Sequence, residues 1–411
     1  MDTHSNTVSS IDEENKSEMV GGNCYLGRCE RKMLETNLDS LPDDILFFNI
    51  LTRLPAQDIY NAPRVVCRKW YQMIHTHNFV YAHLHHSPCE LLIQSFSDYT
   101  VTFMGMTRGQ IEISKFSFNS SYRIWSSCNG LVLEPNFGDN YDLSITNLVT
   151  KQHFVLPPFF ARTQHPNSLS AIAYAAATTQ YKVVRTCYLE IGNPCSRKFC
   201  AVLTVGVDNS WRLVDTQHLS LTTAEHFSSC PLVTGGFVHW ARGGSYVLTL
   251  DVETEIITQI PVPQCNCERF GNAYCYYYFS AISYLSLLTA RSNFKWDVWE
   301  MKPETREWTK LPGIDLEDQK YAFIQLCYKH DSSFKFDGGS FGCLLHPAGW
   351  LKYREVLVFI VFKRVGVSTY DQSRLRIAYN FQTQAIYLFE LETNGYPYLV
   401  HRNSLLWLDG C

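Results

Sequence analysis

A fifteen-residue pattern recurs along the C-terminal part of the chain and restricts the fold more than any other feature of the sequence. It reads LSITNLVTKQHFVLP ending at Pro157, VLTLDVETEIITQIP ending at Pro261 and VWEMKPETREWTKLP ending at Pro312. A partial copy, IAYNFQTQAIYLFEL, covers residues 377 to 391. Threonine aligns in all four, at Thr150, Thr254, Thr305 and Thr383, and the first three units end in an aliphatic residue and a proline. A looser copy, AVLTVGVDNSWRLVD, lies midway between the first two, and its Trp211 resembles Trp308. Each unit reads as a hairpin: an outward strand, a polar turn, and a return strand ending at a proline that lacks the amide to continue the ladder. The spacing of the copies implies a period of about fifty residues, within the range of propeller blades. A β-propeller of six or seven irregular blades fits the roughly 320 residues from position 90 onward. A pair of β-sandwiches is the alternative and accounts less well for the period.

The rest of that region agrees. Short apolar or alternating runs such as YKVVRTC, GFVHW and EVLVFIVF are separated by Gly, Pro, Asn, Asp and Ser, the pattern of antiparallel strands and turns. No amphipathic helix is expected among them. Aromatic residues make up 14% of the chain and charged residues only 18%, a mixture that suits pleated, half-buried surfaces better than long solvated helices. The formal net charge is -4 with Lys and Arg scattered, so neither a phosphate backbone nor an anionic membrane is an expected partner. The N-terminus is polar and acidic where a secretory signal is basic and then apolar, and the longest apolar runs are too short to span a bilayer. The fifteen cysteines are irregularly spaced, which favours free thiols and a soluble protein of the cytoplasm or nucleus.

Ahead of the β region, residues 1–37 read as disordered. The character changes at LDSLPDDILFFNILTRLPAQDIYNAPRVVCRKWYQMIHTHNF, residues 38 to 79. Pro42 suits a first helical position and Asp43 and Asp44 place negative charge in the first turn. Leu46, Ile50 and Leu54 then recur at helical spacing, widened by Phe47 and Leu51. Pro55 stops that helix, a very short second one runs from near Asp58 to Pro63, and a third carries Val66, Cys67, Trp70 and Ile74 on one side. The expected organisation is therefore a helical module at 38–84 and a β domain at 90–411. So small a module is marginal alone, and it carries more large apolar side chains than three short helices hide.

This stretch resembles the F-box, the motif that docks a protein onto the Skp-type adaptor of cullin-based ubiquitin ligases. The likeness runs from Leu41-Pro42 through Ile50 and Leu54-Pro55 to Val66-Cys67-Arg68-Lys69-Trp70. Pro63 departs from it, standing where the family carries a small or polar residue. The second half resembles the F-box-associated, kelch- or propeller-like domains of plant proteins, in Ser127-Cys128-Asn129-Gly130-Leu131, Tyr181-Lys182-Val183-Val184-Arg185, Trp211-Arg212, Gly236-Phe237-Val238-His239-Trp240 and the units ending at Pro158 and Pro261. The resemblance implies a mainly β protein with a small all-α module in front. It further implies a non-catalytic substrate-recognition subunit that binds the adaptor and, through it, a cullin, and holds an unknown target protein on its β domain. By resemblance the adaptor contacts are Leu41, Pro42, Ile45, Ile50, Leu54, Pro55, Val66 and Trp70. Leu46, Leu51 and Cys67 are assigned instead to the module's own core. The alternative is a β domain that binds a small molecule or glycan.

Other candidate chemistry is sparse. His83, His85, His86 and Cys89, and separately Cys265, Cys267 and Cys275, lack the paired spacing of a structural zinc module and are read as exposed histidines and buried free thiols. Walker loops, dinucleotide fingerprints, nucleophile elbows and H-E-x-x-H helices are missing from the sequence, and no cofactor or metal is expected. The run Tyr274, Tyr276, Tyr277, Tyr278 and Phe279 is read as a strand with one buried side rather than as a partner-binding loop.

Overall fold

A computed structural model describes residues 42–61, 66–95, 99–116, 123–136, 142–159, 169–188, 198–264, 276–330, 343–364, 370–391 and 395–407. Its β part is six sheets of four antiparallel strands each, a six-bladed propeller that removes the ambiguity over blade number. Five blades are built from consecutive strands. Blade 2 uses Ser126–Cys128, Leu131–Asn136, Asp142–Asn147 and His153–Val155. Blade 3 uses Leu169–Ala175, Gln180–Tyr188, Lys198–Thr204 and Arg212–Leu213. Blade 4 uses Leu232–Thr234, Phe237–Ala241, Tyr246–Asp251 and Ile256–Pro261. Blade 5 uses Tyr276–Ala281, Tyr284–Ser292, Lys295–Lys302 and Glu307–Asp315. Blade 6 uses Cys343–Lys352, Val356–Arg364, Tyr370–Asn380 and Ile386–Glu390.

Blade 1 closes the ring. Its strands Glu90–Ser95, Val101–Thr107 and Gln110–Phe116 come from the start of the domain, and its fourth and innermost, Gly395–His401, from the end of the chain. Leu91 pairs with Val400 and Leu92 with Leu399, so the ladder itself joins the two ends and leaves no open edge at the seam.

The recurring sequence unit is the hairpin of the third and fourth strands in blades 2, 4, 5 and 6. Its turn has a shared mechanism. Asn147, Asp251 and Asn380 each turn a side-chain oxygen back onto a backbone N–H two residues ahead, an Asx turn. The residue after the threonine is then left-handed: φ is +61° at Lys151, +57° at Glu255, +61° at Arg306 and +57° at Gln384. The proline ends the fourth strand only at Pro261. In blade 5 the strand runs on to Asp315 because the ladder steps over Pro312 and Gly313, from Val298–Leu311 to Trp296–Ile314, a bulge that absorbs the missing amide.

Apolar faces of neighbouring blades form the core, as where Leu133 and Ile145 of blade 2 meet Ile172 and Val183 of blade 3. Lys182 of blade 3 clasps blade 4, donating to the Val252 carbonyl at 2.6 Å and pairing with Glu255 at 2.9 Å. Contrary to the expectation of a helix-free β domain, helix Lys320–His330 sits between blades 5 and 6, burying Phe323, Ile324 and Cys327. A single helical turn, Leu221–Ala224, precedes blade 4. Tyr276, Tyr277, Tyr278 and Phe279 form half-buried inner strand of blade 5; Tyr274 lies outside the described residues.

In front of the propeller, Ile45–Ile50 forms a wide, π-type helical turn that tightens into a 3-10 turn at Leu51–Arg53. Helices Ala56–Asn61, Arg68–Ile74 and His77–His86 follow. The last, capped by Thr76 whose hydroxyl accepts from the Phe79 N–H, was not expected, and makes the module larger than three helices. Cys67 is a correction too. It is exposed and extended, with φ -159° and ψ 166°, immediately before the third helix rather than inside the core. Residues 1–41, including Leu41, and Pro63 lie outside the described residues.

Candidate functional site

In the module, Phe47, Leu51, Ala56, Ile59, Ile74, Phe79 and Val80 are buried together. This core is shared with the propeller: Val149, in the blade 2 turn, and Leu405, beyond the closing strand, are buried in the same cluster. The Tyr60 hydroxyl donates to the Thr150 carbonyl at 3.1 Å, and the Trp407 ring lies 4.1 Å from His75.

Other apolar side chains of the module are open to solvent. Ile45, Ile50, Leu54, Val66 and Tyr71 are 41%, 43%, 40%, 59% and 49% exposed, and Pro42 and Pro55 are exposed as well. Isolated surface apolar residues are commonplace, but so many on so small a module are unusual. Ile45 and Ile50 reach solvent because Phe47 and Leu51 take the inward positions of the same turns. Leu54 is held where the first helical segment stops before Pro55. Its carbonyl accepts from Nε2 of the buried His83 at 2.9 Å, and the Ser87 hydroxyl lies 3.2 Å from the other ring nitrogen. Burial pushes the His83 pKa down, partly opposed by the Leu54 carbonyl, with a further lowering from His86. At the rim, Lys69 and Asp43 pair at 2.6 Å, bridging the first and third helical segments.

Of the residues expected to face an adaptor, Pro42, Ile45, Ile50, Leu54, Pro55 and Val66 are exposed. Trp70 is half-buried, with its ring edge-on to Phe47 at 5.7 Å, so much of its area serves the module's own packing. Leu51 is buried as expected and Leu46 half-buried. Tyr71, exposed and 4.2 Å from His75, which in turn lies against Trp407, is an exposed aromatic that sequence reasoning missed. Its signal was available one residue after Trp70.

A second feature is the propeller's axial channel. At the end nearer the module a cavity of about 190 Å³ is lined by residues including Cys89, Ser127, Asn129, Ser283, His401 and Arg402. Farther along the axis, a narrower space of about 120 Å³ is flanked by Trp125, Tyr278 and Tyr398. His401, fully enclosed beside Phe103 at 5.2 Å, has its pKa pushed down to about 4 by burial. Among the described residues no group of three or more metal-ligating side chains is found, and no helix is long and apolar enough to cross a membrane.

The chain matches two family models. An F-box-like model covers residues 38–87, and the model of the F-box associated beta propeller domain covers residues 78–328, more than half of the chain. The chain belongs to the F-box-associated β-propeller family. It is also 28% identical over 248 residues to a putative F-box only protein 15 of Arabidopsis thaliana, a match that takes in 56% of this chain and 60% of that protein. This F-box protein thus spans less than two thirds of the curated relative it matches. Among solved structures, the N-terminal domain of Nup159 is 10% identical with a TM-score of 0.33, covering 66% of this chain and 62% of that one. An oligogalacturonate lyase in complex with manganese is 8% identical with a TM-score of 0.36, covering 73% and 84%.

Proposed function

We propose that this F-box protein is the substrate-recognition subunit of a Skp-cullin-F-box ubiquitin ligase. The observation that carries the reading is the ridge of Ile45, Ile50, Leu54 and Val66, left open on a module whose other face is already occupied by the propeller. A Skp-type adaptor covers that ridge, and a cullin joins through the adaptor. Helix-in-groove docking of this kind concentrates its energy in a few large apolar anchors.

The β domain then holds a target protein, and the gain is proximity: the target's lysines are brought near a charged conjugating enzyme, and no bond chemistry falls to this chain. The face away from the module is the better target surface. Strands alternate in direction, so the tight hairpin turns at Asn129–Gly130, Lys151, Glu255 and Arg306 all emerge on the module's side, while the connections from one blade to the next emerge on the other. Loops carried on a rigid scaffold are where binding surfaces are usually built. The working compartment under this reading is the cytoplasm or nucleus.

The test is a titration of the full chain with a purified Skp-type adaptor, beside an Ile45→Asp, Ile50→Asp variant. Placing two carboxylates in an apolar groove weakens binding by about a hundredfold or more. The melting of the propeller stays unchanged, because both side chains already face water. Equal binding by the two proteins, or none by the parent, overturns the proposal.

The Ser127, Asn129 and Arg402 side chains set among apolar residues of the axial cavity support a second reading, in which a small molecule sits at the channel mouth. A rise in melting temperature in a screen of small sugars and acids is its test; no shift with any of them overturns it.

A further inference from the structure

Beyond the closing strand the chain continues through Ser404, Leu405 and Trp407, and this short tail lies against the helical module rather than in solvent. Ser404 and Leu405 are fully buried. Two different parts of the propeller hold the tail in place. Asn147 spends its side-chain amide there, donating to the Ser404 carbonyl at 3.2 Å and the Leu406 carbonyl at 2.9 Å. Its side-chain oxygen meanwhile shapes the blade 2 turn that carries Val149. Gly130, at φ +86°, lies so close that an added Cβ would stand 2.1 Å from the Ser404 Oγ and 2.8 Å from the Arg402 carbonyl. The tail runs where only glycine leaves room.

We infer that residues 403–407 complete the core of the F-box module, so that the adaptor-docking ridge is fully formed only when the propeller ring is closed. The inference rests on the proposed adaptor role for its functional consequence, but its structural half stands apart from that role. Leu405 sits in one buried cluster with Phe47, Leu51, Ile59 and Val149. Phe47 and Leu51 are the inward partners of Ile45 and Ile50 on the ridge. A module of this size cannot replace a lost core side chain from its own stock. The tail follows directly on His401, which pairs with Glu90 in the closing ladder, so opening the seam withdraws Leu405 and Trp407 together. Adaptor docking thereby reports on the integrity of a ring that the adaptor does not touch.

The experiment compares the full chain with Leu405→Ala and Leu405→Met variants. Two quantities are read in each: adaptor affinity, and hydrogen exchange of residues 45–61 and 68–86 against that of the closing strands 90–95 and 395–401. With Leu405→Ala, exchange in the module rises at least tenfold while the closing strands keep their protection, and adaptor affinity falls about tenfold. Leu405→Met, which keeps the volume, restores both. Unchanged exchange in the module with Leu405→Ala overturns the inference, as does equal loss of protection in the closing strands, which would make the tail a part of the propeller alone. If the parent chain binds no adaptor, the ligase reading fails on its own, and the exchange data still decide whether the tail belongs to the module.

Discussion

At the scale of single residues, backbone strain sits in the tight turns between strands, and one such turn lies at the channel mouth. Ile282, at the first turn of blade 5, has φ +49°, a conformation in which a β-branched side chain crowds its own backbone. It is also 45% exposed and lines the axial cavity, while its carbonyl accepts from the Gly235 N–H at 2.8 Å. That hydrogen bond between neighbouring blades fixes the backbone geometry and holds the side chain where it is. Ile282→Asn keeps the carbonyl and tolerates the left-handed region, so it should stabilise the protein by about 1 kcal/mol, measured as a raised denaturation midpoint. A lower midpoint would mean that Ile282 contributes packing outweighing its strain. Cys67 shows why single residues were the least legible scale. Its neighbours in sequence suggested a helix face, whereas the helix begins one residue later, and a shift of that size turns a side chain from core to solvent.

Among elements, the contact between the end of the first helical segment and helix His77–His86 does most to set the ridge. His83→Ala removes the donor to the Leu54 carbonyl and leaves a void beneath Phe79, whose ring lies 6.4 Å away. It should cost the module about 2 kcal/mol or more, seen as faster exchange of residues 45–54 with the blade strands unaffected. Protection that stayed intact would show that Phe47 and Leu51 hold the segment without help. The hairpins were legible because their signal is local: an Asx residue, a threonine and a left-handed position within five residues mark the turn from the third strand to the fourth in blades 2, 4 and 6, and blade 5 keeps the last two. The first helical segment was legible for the same reason, through the spacing of its apolar residues. Helix His77–His86 was hidden by four histidines that read as polar surface, although His83 is wholly buried. Helix Lys320–His330 escaped because only Phe323, Ile324 and Cys327 face inward, and its large exposed residues Tyr321 and Tyr328 blur the expected stripe.

For the molecule as a whole, buried neutral histidines set the response to acid. Burial pushes the pKa of His239 down to about 3, and those of His346 and His401 down to about 4, from an ordinary value of 6.5. Below pH 6.5 the unfolded chain takes up protons that the folded chain refuses, so stability falls as pH drops toward 4. Each histidine contributes up to about 1.4 kcal/mol per pH unit in that window. The melting temperature should therefore be level above pH 7 and decline steeply between pH 6.5 and 4; a flat profile there would place these rings in contact with water. Nothing local announced the partnership between the tail and the module, because Leu405 and Phe47 come from opposite ends of the sequence and neither segment carries a pattern naming the other. The pairing of Glu90–Ser95 with Gly395–His401 also has a consequence for synthesis. The ribosome makes the first three strands of blade 1 long before their partner, so throughout translation the growing chain presents a bare strand edge and a half-built sheet. Such edges recruit other strands, and a nascent chain of this shape needs chaperone cover until residues 395–401 emerge.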